Sequence, residues 1–355
     1  MEKESFDFLR RYMESISPSG FEEEASRLWC KEADRFADRT WVDVHGNSFA
    51  LVNEAGNPRV MLAGHADEIG LMITYIDENG YLSFTGIGGW DPQILPGQRV
   101  RIRGKAGPVL GVIGRKPIHL LQEEERKKVV KMEDLWIDIG AKDKEEAASL
   151  VEIGDPAVLD YAFAELRNDL VVARGFDDRI GAFVVLEAAR LLTTINPKAS
   201  IYAVATVQEE IGLRGAKTSA FGIDPKVGIA VDVGFATDTP VMESEKKKVG
   251  EFAMGKGPII TRGPNINPLL HKLIVETAKE ADIPYQIEGA PRGTGTDANA
   301  IQLSRSGVAT GLISVPNRYM HSPCEIVHLT DLENACSLIA HTVAKIDETT
   351  NFLPS

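Results

Sequence analysis

Apolar residues in this chain follow two rhythms. Four short runs, at residues 60–63, 201–207, 227–231 and 308–315, are built mainly from Val, Ile, Leu and Ala with little polar alternation. Strands covered on both faces read this way, so the pattern predicts a buried and largely parallel sheet. Between the runs, apolar positions return at helical spacing. Ile180, Phe183, Val184, Leu186, Ala188 and Leu191 mark one helix over 179–192, and residues 268–281 and 332–346 are patterned similarly. Strands alternating with helices predict an α/β domain, with a mostly parallel central sheet flanked by helices. At the start of the chain Phe6, Leu9, Tyr12 and Met13 predict a helix, and Ser17-Pro18-Ser19-Gly20 breaks it. A second helix is predicted over 21–36, with Glu22, Glu23 and Glu24 in the first turn, where the helix dipole favours negative charge. Strands are predicted at 41–44 and 48–52.

The rhythm changes between residues 71 and 165. Glycines become frequent (Gly80, Gly86, Gly88, Gly89, Gly97, Gly104, Gly107, Gly111 and Gly114), and Asn79-Gly80 signals a hairpin turn. Short strands are predicted at 81–84, 99–102, 109–113 and 136–139. The reading is an inserted small all-β barrel at 71–165, with residues 1–70 and 166–355 forming a discontinuous catalytic α/β domain. The mixed-charge run at 123–128 reads as an exposed loop, and Lys246-Lys247-Lys248 as a solvated turn.

Composition narrows the function classes. The chain has 355 residues, 43% hydrophobic and 26% charged, which suits a soluble protein of two domains. A net charge of −13 argues against nucleic acid, whose phosphates demand Lys and Arg. No stretch reaches the roughly 20 apolar residues of a membrane helix, and the N-terminus lacks the features of a secretory signal. The expectation is a cytoplasmic protein with neither a membrane nor a nucleic-acid partner. Cys30, Cys324 and Cys336 are too few and too scattered for a disulfide framework or a cysteine zinc site, and read as free thiols.

The four apolar runs each deliver a metal-binding residue type just past their ends. His65 follows the first, Glu209 and Glu210 the second, Asp232 the third, and His321 comes a few residues after the fourth. Asp177 joins them from Gly175-Phe176-Asp177-Asp178, immediately before a helix. In open α/β sheets ligands bind at the carboxyl ends of the strands. Ionisable groups at the mouths of buried strands need partners. Imidazoles suit zinc or cobalt, carboxylates offset the metal charge, and two divalent ions need a bridging carboxylate with further ligands on each. In the pair Glu209-Glu210 one carboxylate can bind metal while the other moves protons; spacing alone does not order them. Asp67, two residues after His65, can orient that imidazole.

These residues lie in stretches that resemble the tetrahedral metallo-aminopeptidase family, the group of glutamyl, leucyl and deblocking aminopeptidases. The stretches are Gly64-His65-Ala66-Asp67-Glu68-Ile69-Gly70, Gly175-Phe176-Asp177-Asp178-Arg179-Ile180-Gly181 and Val207-Gln208-Glu209-Glu210-Ile211-Gly212-Leu213-Arg214-Gly215-Ala216. Val231-Asp232-Val233-Gly234, Gly293-Thr294-Gly295-Thr296-Asp297-Ala298 and Pro316-Asn317-Arg318-Tyr319-Met320-His321-Ser322 follow in order, so the resemblance spans nearly the whole chain. It implies a zinc-exopeptidase-like fold and hydrolysis of N-terminal residues from short peptides. It further implies two divalent ions, Zn2+ or Co2+, held by His65, Asp177 as the bridge, Glu210, Asp232 and His321, with Glu209 as general base. The inserted barrel would serve dimerisation, and the dimers would build a larger homo-oligomer such as a dodecamer.

Blander readings stand beside these. His45, His119, His271, His328 and His341 lack ligand-like neighbours and read as surface or structural. Asp178 and Arg179 fit equally a helix-start motif with Arg179 paired to an acid, and Thr296-Asp297 fits a helix cap as well as a place near the site. Rival functions are a metal-dependent amidase or deacylase, which would not need a free substrate amine, and a metal-binding assembly subunit without catalysis.

Overall fold

The computed structural model describes residues 1–240 and 242–354. In chain order β1 (Arg39–Val42), β2 (Ser48–Val52) and β3 (Arg59–His65) come first. Next are β4 (Gly70–Ile76), β5 (Leu82–Ile87), β6 (Arg99–Gly104), β7 (Gly107–Gly114), β8 (Trp136–Asp138) and β9 (Pro156–Leu159). After them lie β10 (Ala164–Glu165), β11 (Leu170–Ala173), β12 (Ser200–Thr206), β13 (Val227–Phe235), β14 (Ile259–Arg262), β15 (Gln286–Gly289), β16 (Ala309–Asn317) and β17 (Glu325–His328).

The chain forms two compact units. One comprises Met1–Glu68, Phe163–Met320 and Cys324–Ser355, and the other Ile69–Ala162 with His321–Pro323. The first contains an eight-stranded sheet in the order β1-β2-β12-β3-β13-β16-β14-β15. Its centre, β12-β3-β13-β16, is the four predicted apolar runs, all parallel to one another. β1 and β2 run antiparallel on one side, and β14 turns antiparallel to β16 on the other. Alternation along β3 shows why these runs are apolar throughout. Val60 and Leu62 enter a core with Ile180, Val184 and Leu338, while Met61 and Ala63 enter another with Ala216, Ala220 and Ile301. Helix Phe176–Ile195 covers one face, and helices Arg214–Ile223 and Asp297–Ile301 supply part of the other core.

The second unit is a closed barrel, β4-β5-β8-β7-β6-β9, filled by Leu71, Ile73, Leu82, Val100, Ile102 and Ile137 among others. Closure removes the free edges that short antiparallel strands otherwise expose. Two segments expected to be irregular are helical. Residues Glu123–Arg126 make one turn with a capping box between Gln122 and Glu125. Helix Glu243–Val249 contains the lysine run, because Glu243 and Glu245 pair with Lys246 and Lys248 at i,i+3 spacing. Among the described residues no helix is long and apolar enough to cross a membrane.

Candidate metal centre

Three strand ends build the site. His65 is the last residue of β3, and its neighbour across the sheet is Thr206, the last residue of β12. The chain then turns through Gln208 into Glu209 and Glu210. Asp232 lies inside β13, which runs on to Phe235 instead of ending at Val231. Asp177 and Asp178 have non-helical backbone angles at the start of helix Phe176–Ile195, so their side chains leave the helix path and point elsewhere. One donor atom each of His65, Asp177 and Glu210 lie within 4.8 Å of one another, and so do those of His65, Asp178 and Asp232.

The two ring nitrogens of His65 face different surroundings. Nδ1 is 3.0 Å from the Asp67 carbonyl and 3.4 Å from its carboxylate, both acceptors, so the Nδ1 proton belongs there. Nε2 then presents a lone pair to Asp177 Oδ1 at 3.3 Å and Glu209 Oε2 at 3.7 Å. A lone pair facing carboxylates is repulsive unless a proton or a cation lies between them. The electrostatics agree. Burial opposes charge on His65, yet Glu209, Asp67 and Asp177 hold its pKa well above the usual value. Burial, then repulsion from Asp232 and Asp177, raises Asp178 far above the carboxylate range; burial and Asp177 do the same to Asp232. Glu209 is pushed up to about 10 by burial, with Asp232, Asp297 and Glu210 adding and His65 opposing. So many buried acids around one imidazole, each reluctant to ionise, fit a site whose counter-charge is a divalent cation.

Asp67 does more than face His65. Its carboxylate accepts the Glu209 N–H at 3.1 Å, the Glu210 N–H at 3.2 Å and the Ser19 hydroxyl at 2.6 Å, so one fully buried acid organises both the imidazole and the two-glutamate loop. Asp178 accepts the His65 N–H at 3.2 Å and the Gly181 N–H at 3.0 Å. Arg179, wholly buried, lies 3.3 Å from Glu68 and donates to the Ser15 carbonyl, while Arg174 also pairs with Glu68. This ion group ties the His65 loop to the Asp177 loop. Burial lowers the Arg179 pKa to about 10, with Glu68 opposing that shift.

Asp297 accepts the Thr206 hydroxyl at 2.5 Å, while its other oxygen is buried with no hydrogen-bond partner. Burial raises its pKa to about 6 against the pull of His65. Thr296 is the N-cap residue but makes no side-chain cap bond.

Of the residues singled out in the sequence, His65, Asp67, Asp177, Glu209, Glu210 and Asp232 belong to this neighbourhood. His321 is grouped with the barrel unit, where its Nδ1 is 2.8 Å from the Gly89 carbonyl; its role rests on the motif resemblance and not on this cluster. His328 caps helix Leu329–Ala344 through Thr330 N–H, His271 bonds the Thr261 carbonyl and His341 the Ser337 carbonyl. Sequence reasoning missed Ser19 and Glu22, read only as a chain break and a helix start, and Glu325, which accepts the Asp177 N–H at 2.8 Å. Ser19 donates to the Asp67 carboxylate, and Glu22 and Glu325 accept backbone N–H groups far along the chain; no local spacing signals such contacts.

Comparison with known proteins gives a consistent result. The M42 glutamyl aminopeptidase family matches residues 46–338. A lysyl aminopeptidase of Pyrococcus furiosus is 40% identical over 336 residues, covering 94% of this chain and 95% of that protein. The crystal structure of a TET aminopeptidase from a marine-sediment thaumarchaeote superposes with a TM-score of 0.92 at 38% identity, covering 97% of each chain. A TET1 peptidase of Pyrococcus horikoshii, described as assembling into a tetrahedron or a large octahedral shell, superposes with a TM-score of 0.84 at 35% identity, covering 96% of this chain and all of that one.

Proposed function

The chain belongs to the M42 glutamyl aminopeptidase family, and we propose that His65, Asp177, Glu210 and Asp232 hold its divalent metal ions while Glu209 is the general base. The family makes it a peptide hydrolase acting as an exopeptidase. The observation that supports the residue roles is the surroundings of His65: Asp177 with Glu210, and Asp232, have donor atoms within 4.8 Å of its own, while Glu209, outside both donor groups, reaches within 3.7 Å of Nε2.

Bound divalent cations would supply Lewis acidity toward the scissile carbonyl and make a water easier to deprotonate. The protein's own groups do the rest. Asp67 fixes the His65 ring so that Nε2 faces inward, and it anchors the Glu209 and Glu210 peptides. Asp178 braces His65 from its backbone side. Glu209 takes the proton of the attacking water and returns it to the departing amine, a role that needs its carboxylate ionised, as the positive charge of bound cations beside it would favour.

The finer reading is Zn2+ or Co2+ as the ions, short peptides as substrates, and a cytoplasmic homo-oligomer assembled from dimers, such as a dodecamer. The lysyl preference in one relative's name and the shells described for another support a peptide substrate and assembly. Glu209→Gln should keep its metal complement but lower kcat on an aminoacyl anilide by about 10³-fold or more, since general acid–base groups contribute about 10²–10⁴. Near-normal turnover in that variant would remove Glu209 from the mechanism. Restoring Zn2+, Co2+ or Mn2+ singly to chelator-treated protein assigns the active ion.

A further inference from the structure

Gln208 has a backbone φ of 56°, in the left-handed region that non-glycine residues rarely adopt. It stands between the end of β12 and Glu209, so its conformation sets the direction in which the next side chain leaves the loop. Three successive N–H groups of this stretch end on two acids. Those of Glu209 and Glu210 go to Asp67, and that of Gln208 goes to Glu22 Oε1 at 3.1 Å. The same Glu22 oxygen accepts the Gly20 N–H at 2.6 Å. Glu22 is 6% exposed, lies 186 positions away in the chain, and belongs to no metal-ligand group in the site.

We propose that Glu22 is a positioning residue for Glu209: it clamps the Gln208 peptide in its left-handed state and so aims the general base. The inference rests on Glu209 being that base. The left-handed state of a residue carrying a Cβ is disfavoured on its own, so it persists only while its surroundings hold it. Glu22 and Gln208 both line a cleft of 310 Å³. Without the carboxylate, water there competes for the Gln208 N–H and the peptide is free to turn. Asp67 still holds the next two N–H groups, so the expected result is a misdirected base and not an unfolded loop.

The test uses Glu22→Ala, Glu22→Gln, Glu209→Gln and the Glu22→Ala/Glu209→Gln double variant, each metal-loaded. The readouts are kcat and KM on an aminoacyl anilide, and metal content after dialysis. Glu22→Ala should lower kcat about 10- to 100-fold, the scale of an ångström-sized misplacement, with KM and metal content little changed. Glu22→Gln should restore most of the rate, because an amide oxygen can accept both N–H groups. On the Glu209→Gln background, Glu22→Ala should cause no further loss. If Glu22→Ala does not fold, Glu22→Asp, too short to reach both N–H groups, is read in the same way. A wild-type kcat in Glu22→Ala, a Glu22→Gln as slow as the alanine variant, a loss that tracks missing metal, or a loss that persists without Glu209 each overturns the clamp. Normal turnover in Glu209→Gln would instead remove the base assignment and the clamp with it, an outcome distinct from failure of the clamp alone.

Discussion

At the scale of single residues, the site is a set of groups forced to share protons or cations. Glu209, with an ordinary pKa of 4.5, lies near 10 in the fold, and Asp297 moves from 3.8 to about 6. In both cases the folded chain keeps a proton that the unfolded chain gives up. Stability in the metal-free protein therefore falls as pH rises from about 4 toward those folded values. His65 acts in the same direction. Its raised pKa contributes fully below its unfolded value of 6.5, and the contribution is lost as pH climbs toward the folded one. Protein in excess chelator should melt at a lower temperature at pH 8 than at pH 6, whereas saturating divalent metal should flatten that slope, because the cation replaces the protons. A melting temperature of the chelated protein that rises with pH would contradict the charge reading of the cluster. The candidate ligands were visible as His and acidic residues beyond apolar runs. The bracing by Ser19, Asp178 and Glu325 was not, because a hydroxyl donating to a distant carboxylate, or a carboxylate accepting a distant backbone N–H, leaves no periodic trace.

At the scale of elements, burial on both faces made the four central strands legible, since it removes polar alternation from β3, β12, β13 and β16. Their order in the sheet, β12-β3-β13-β16, is not sequential and follows from the crossover helices between them. The packing of β3 on helix Phe176–Ile195 depends on the absence of a Cβ at Gly64, whose bare Cα faces the Gly181 backbone. A Cβ on Gly64 would fall inside the backbone of Gly181 and Ala182. Gly64→Ala should destabilise the protein by about 3 kcal/mol, at the upper end for an overpacked core, measured by denaturant unfolding. It should also weaken metal binding, because His65 follows directly. Wild-type stability in that variant would show that the strand and helix can separate without cost. The lysine helix, Glu243–Val249, escaped detection because ion pairing at i,i+3, rather than an apolar face, stabilises it.

At the scale of the whole molecule, the barrel unit leaves large apolar side chains in solvent. Leu110, Ile118, Leu120 and Val129 are each at least 60% exposed. On β7, Leu110 and Val112 point outward while Gly111 and Ile113 point in, so an apolar outer face accompanies a filled interior. In the assembly proposed above, these exposed apolar residues would meet a second copy of the chain, since a contiguous apolar surface is where such a partner gains most. The double substitution Leu110→Asp with Leu120→Asp should shift the mass seen by light scattering on a sizing column toward smaller species, while hydrolysis of an aminoacyl anilide persists. An unchanged mass would place the assembly surface elsewhere.

Residue order along the chain was enough to show the α/β layering, the parallel centre, the inserted β module and a set of His and acidic residues beyond the apolar runs, because burial and metal chemistry both restrict which residue types can occupy a position. Only the tertiary structure decided that Asp67 holds the glutamate loop as well as the imidazole, that Arg174 and Arg179 share Glu68, and that Glu22 reaches Gln208 from the far end of the chain. Those contacts join backbone and side-chain groups separated by a hundred residues or more, and their partners are chosen by distance in space, which composition and periodicity do not encode.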